Sequence, residues 1–129
     1  MIKRKTGKSK KWFEISTKFY SSTIYVAIGY GFEEAQEKYY KAIKAPTKGR
    51  VYWEDHAAGA ACVIENKESR DLLMFFGQGK PTPGCAAHEI FHAAHITFER
   101  INSKVTRETE EPFAYLIQWI TQEFWERVK

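Results

Sequence analysis

Cysteine is scarce in this sequence: Cys62 and Cys85 are the two thiols in 129 residues. Two thiols cannot build the multi-disulfide framework of small secreted domains, and no C-x-x-C pair exists for a zinc ribbon or a thioredoxin-type centre. Each reads as a small residue at an apolar position, although Cys85 stands close to the histidines discussed below. Long apolar runs are missing too. Charges interrupt every hydrophobic stretch before it reaches the roughly 20 residues that span a bilayer, so no membrane segment is expected. The basic N-terminus has no apolar signal region behind it, and the chain is read as cytoplasmic. Acidic residues are absent from residues 1–11, which hold Lys3, Arg4, Lys5, Lys8, Lys10 and Lys11. That stretch carries +6 against a formal +4 for the whole chain, so the remainder stands at −2.

The high isoelectric point therefore belongs to a tail. Residues 1–11 are expected to form a flexible basic leader, and residues 12–129 a single domain. A solvated leader is the simpler reading of such a charge run; weak contact with nucleic acid through residues 3–11 is the alternative. The rest of the composition favours a packed globule, with 43% hydrophobic and 16% aromatic residues.

Patterning along the chain predicts an α+β domain. Trp12–Thr17 is a short candidate strand. Thr23–Gly29 is β-branched and aromatic, hence a strand that Gly29-Tyr30-Gly31 ends. Glu33–Ile43 switches to helical period, with acids first and lysines later, as the helix dipole prefers. Arg50–Trp53, Cys62–Glu65 and Leu72–Phe76 read as further strands. Thr82-Pro83 is a hydroxyl cap followed by proline in a first turn, opening a helix that runs to about Ile101 with Asn102 as its stop. Thr109 is the expected cap of a last helix, whose apolar face holds Phe113, Leu116, Ile117, Ile120, Phe124 and Val128. The expected architecture is a small, twisted, mostly antiparallel or mixed sheet with one helix, followed by two packed C-terminal helices.

The first of those two helices contains His88-Glu89-Ile90-Phe91-His92, an H-E-x-x-H sequence. Residues four apart on a helix project from one face, so His88 and His92 can offer two imidazole nitrogens to one Zn2+ ion. Glu89, one step round, is placed to act as general base on a water held there. The plain alternative is a helix whose histidines are satisfied by hydrogen bonds. A third protein ligand is expected from the start of the last helix, where Glu108, Glu110 and Glu111 cluster. Acids there are also ordinary dipole partners. Glu111 is favoured because Ala114, on its face, would let the helices approach closely; Glu110 follows, then Glu108.

Glu110-Glu111-Pro112-Phe113-Ala114-Tyr115, downstream of the H-E-x-x-H, resembles the gluzincin arrangement of zinc peptidases, including thermolysin-like members. It is similar also to the Glu-x-x-Ala pattern of ImmA/IrrE-type peptidases, and in so short a chain to small zincin-like proteins of phages and prophages. The resemblance covers residues 85 to about 120. It implies a minimal zincin-like domain with His88, His92 and Glu111 as zinc ligands and Glu89 as catalytic base, hydrolysing a peptide or protein substrate. Tyr115 stands where many gluzincins carry an Asp or Asn that orients a ligand histidine. His95 is the nearest candidate for an oxyanion stabiliser, with a supporting or plain surface role the simpler reading; His56 is a weaker candidate and equally a turn residue. Zincins hold substrate along a sheet edge, and Ala57–Ala61 or the strand after them is the expected edge. The rival class is a non-catalytic, zinc-stabilised binding module that engages nucleic acid or a host protein through its basic tail.

Overall fold

The computed structural model describes residues 9–44, 61–66 and 69–129. The described elements are strand β1 (Lys11–Ser16), a 3-10 turn (Lys18–Tyr20), β2 (Thr23–Ile28), helix α1 (Phe32–Ala42), β3 (Ala61–Glu65), β4 (Leu72–Phe76), α2 (Pro83–Arg100) and α3 (Glu110–Val128). The expected strand at Arg50–Trp53, His56 and residues 57–60 lie outside the described residues.

The four strands form one mixed sheet in the order β1-β2-β4-β3. β1 pairs antiparallel with β2, β2 parallel with β4, and β3 antiparallel with β4. The two central strands read Thr-Ile-Tyr-Val-Ala-Ile and Leu-Leu-Met-Phe-Phe, and all of both but Thr23 is buried. Such near-continuous apolar runs suit strands covered on both faces. Alternate side chains then divide the core. Ile24, Val26, Ile28, Leu72, Met74 and Phe76 point towards α2 and α3. Tyr25, Ala27, Leu73 and Phe75 point towards α1, where they meet Ala35, Tyr39 and Tyr40.

β1 starts at Lys11, one residue inside the stretch read as leader. Lys10 Nζ meets Glu34 Oε1 at 3.0 Å. Lys11 Nζ donates to the carbonyls of Arg127, Val128 and Lys129 at 3.2, 3.0 and 3.0 Å. The last carbonyls of a helix lack intrahelical partners and carry its negative dipole end, so an ammonium there satisfies both.

Helix boundaries follow their local chemistry. Thr82 caps α2 by accepting the Cys85 amide at 3.2 Å, with Pro83 in the first turn. Asn102 takes a left-handed conformation (φ 59°) and stops the helix. Thr109 occupies the cap position of α3, but its side chain makes no cap bond there. Its hydroxyl instead donates to the Lys104 carbonyl and accepts the Thr106 amide, closing the linker turn.

The helices α2 and α3 are antiparallel neighbours. Phe113, at the start of α3, packs edge-on against both Phe91 and Phe98 of α2, with ring centroids 5.7 and 5.1 Å apart. Near the other end of α3, Phe124 meets Phe76 at 5.5 Å, where β4 finishes before α2 begins. No helix among the described residues is long and apolar enough to cross a membrane.

Candidate metal and catalytic site

α2 buries Ala86, Ile90, Ala93, Ala94 and Thr97 against the sheet. His88 and His92 fall on the opposite face, and both are exposed. Their Nε2 atoms lie 3.2 Å apart, with ring centroids 4.8 Å apart and planes at 71°. Two ligand nitrogens on one tetrahedral zinc, each about 2.05 Å from the ion, stand about 3.3 Å apart. In the structure the two rings are hydrogen-bonded to each other, and the spacing is also close to the one a shared ion requires.

Glu89 is placed differently. It is 6% exposed, and its Oε2 lies 4.0 Å from His88 Nε2. Glu89 and Arg100 are about three turns apart and so share one flank of α2. That flank faces β3: Arg100 Nη2 contacts Glu65 Oε1 at 3.0 Å and donates to the Asn66 carbonyl at 2.8 Å. Burial raises the Glu89 pKa, while charge on His88 and His92 lowers it in part. The carboxyl is thus a stronger base than a surface glutamate, which suits a group that must take a proton.

Glu89 also marks the thiols. Burial first, and then the Glu89 charge, push the Cys62 thiol up to about 12. Cys85 is raised by the same two causes in the same order. Both are free and half-buried, with Cys62 against the α1-side core and Cys85 against the α2–α3 side. At neutral pH both are protonated thiols, in keeping with the small-residue reading of the sequence.

His95 lies flat against Phe91, with planes at 8° and centroids at 6.0 Å. Phe91 in turn abuts Phe113, so His95 belongs to an aromatic stack on the α3 side of the histidine pair. Phe91 keeps 48% of its surface exposed, and Tyr115 63%. Sequence spacing shows only that Phe91 and His95 share one helix turn, while the contact with Phe113 depends on the packing of α3.

Glu108, Glu110 and Glu111 are all exposed. Among the described residues, no three His, Cys, Asp or Glu side chains converge to hold an ion. The antiparallel packing explains why. Phe113 sits level with the midpoint of Phe91 and Phe98. At 1.5 Å per residue, Glu111 is then about 7 Å along the helix pair from His92. Side chains on both helices also lean towards their own N-termini, which carries Glu111 and His92 apart. The structure thus brings together His88, His92 and Glu89, and leaves the α3 acids at the surface.

No protein-family model, no curated protein and no solved structure matches this chain.

Proposed function

We propose that this chain is a zinc-dependent peptidase whose centre is His88, His92 and Glu89. The observation that carries the reading is the pairing of two exposed Nε2 atoms at 3.2 Å with a buried carboxylate 4.0 Å from one of them. A hydrogen-bonded histidine pair on a surface helix gives no reason to bury a glutamate beside it, because burying a carboxylate is costly unless something uses or pairs it.

His88 and His92 would hold Zn2+ through Nε2, and Glu111 is the third ligand in this reading. To reach the ion, Glu111 must extend along the groove between α2 and α3 and reorient the first turn of α3. Zinc held there would supply Lewis-acid polarisation of a carbonyl. Glu89 would take a proton from the attacking water at a carboxylate oxygen and return it to the leaving amine. Among the described residues β3 is an outer strand of the sheet and packs beside α2, so an extended peptide added along it would pass Glu89. The substrate is a peptide or protein, and the setting is cytoplasmic.

The test pairs metal analysis with peptide hydrolysis. The wild-type chain should retain zinc and cleave an unstructured protein, with cleavage abolished by chelator. The Glu89→Gln variant should keep zinc and lose cleavage. Zinc binding without cleavage in wild type would leave a metal-stabilised binding module, and loss of zinc in Glu89→Gln would remove the base from its role.

A further inference from the structure

The connection from β4 to α2 meets the first residue of β3 around a hollow of about 210 Å³. Ala61, Phe76, Pro81 and Cys85 supply its apolar wall. Its polar side chains are spoken for or stand in water. The Thr82 hydroxyl accepts the Cys85 amide at 3.2 Å, and Gln78 and Lys80 are exposed. Sites that enclose a whole small ligand measure roughly 300–1,000 Å³. This hollow is smaller, and its size suits one side chain. It is also continuous with the candidate catalytic group. Cys85 lies one turn before Glu89 and projects from the same flank of α2. The Glu89 charge reaches the thiols of both Cys85 and Cys62. α2 runs beside β3 in the same direction, because Ala61 and Cys85 share the hollow at one end and Glu65 meets Arg100 at 3.0 Å at the other.

We infer that this hollow is the specificity pocket of the proposed peptidase and takes one leucine, isoleucine or methionine side chain of an extended substrate. The inference rests on the peptidase reading above. Spacing supports it. The hollow is one turn of α2, about 6 Å, from the level of Glu89. Side chains on one face of a strand recur about every 6.6 Å. Ala61 and Val63 face the α2 side of the sheet. A peptide strand added beside β3 therefore sends alternate side chains to that side. When one residue of the peptide is level with Glu89, the residue two places away is level with the hollow. The wall decides the chemistry. A carboxylate or ammonium entering beside Ala61, Phe76, Pro81 and Cys85 would lose its water and gain no partner there. An aliphatic side chain loses nothing of the kind and buries apolar surface.

Two measurements test this. In the first, an unstructured protein is digested with the zinc-loaded chain and the cut sites are read by mass spectrometry. Leucine, isoleucine or methionine should recur at one fixed position within two residues of the cut bond. Cys85→Leu and Ala61→Leu fill the hollow from its two sides. Each should keep zinc and move the preference at that position to alanine or glycine, changing the kcat/KM ratio by about tenfold or more. The second measurement needs no turnover. In the Glu89→Gln chain, a leucine-containing peptide should slow alkylation of Cys85 by iodoacetamide, and the same peptide with aspartate in that place should not. Cutting without positional preference, or an unchanged preference in both filled variants, overturns the pocket and leaves the peptidase reading standing. No cutting, with Cys85 still shielded by the leucine peptide, removes the peptidase reading and keeps the pocket. No cutting and no shielding removes both.

Discussion

The most informative perturbation is to offer zinc to the metal-free protein and follow its melting temperature. The two Nε2 atoms already stand 3.2 Å apart, so little side-chain ordering opposes binding. A ligand that binds only the folded state stabilises it by RT ln(1 + [L]/Kd), about 2.7 kcal/mol at a free concentration one hundred times Kd. An unfolding entropy near 2.1 cal/mol/K per residue, over 129 residues, gives about 0.27 kcal/mol/K. The expected rise is therefore about 10 °C. His92→Asn should abolish it without lowering the metal-free melting temperature by much, because His92 is exposed. Glu111→Ala should reduce the rise if that acid completes the coordination, and Tyr115→Phe should leave it intact. Acid should weaken the effect, because an imidazole must be neutral to ligate. The readout is thermal circular dichroism with and without chelator, beside calorimetric titration. No zinc-dependent rise in wild type, or an equal rise in His92→Asn, would refute the shared-ion geometry.

Two further outcomes follow from burial. Burial raises the Glu89 pKa above its ordinary 4.5, so the folded state holds that proton more tightly than the unfolded chain. Its stability contribution is complete below the ordinary value and is lost as pH rises through the folded one. Metal-free Glu89→Gln, which has no proton to lose, should therefore gain stability over wild type between acid and neutral pH, and equal urea midpoints across that range would contradict it. Phe124 is fully buried between Phe13, Phe76 and Trp125. Phe124→Ala should cost about 3–5 kcal/mol, seen as a lower urea midpoint at unchanged slope, and a loss well under that range would mean the α3 core collapses around the gap.

Much of the fold was legible where local chemistry and burial agree. Leu72–Phe76 is a strand at the expected boundaries, because five consecutive apolar residues bounded by a turn and a glycine have few other places to go. The Thr82-Pro83 opening of α2 and the Asn102 stop are decided within a few residues, and local sequence shows them. Strand pairing was less accessible: nothing in Thr23–Ile28 states that its neighbour is Leu72–Phe76, in parallel. The histidine pair was legible because its spacing is a helix turn. The α3 acids were a harder case, since their reach depends on the axial offset of two helices. Phe113 sets that offset by wedging between Phe91 and Phe98, a contact that sequence spacing does not report. Thr109 was placed at the right boundary, but tertiary competition turned its hydroxyl into the linker.

The Lys11 ammonium joins the first described strand to the last turn of the last helix. Among the described residues β1 borders β2 alone, and α3 lies over it, with Arg127 donating to the Glu14 carbonyl and Trp119 to that of Ser16. Opening either element strips donors from the other. The amides of β1 and of the final α3 turns should consequently exchange with solvent as one cooperative unit, while the β2–β4 ladder stays protected until global unfolding.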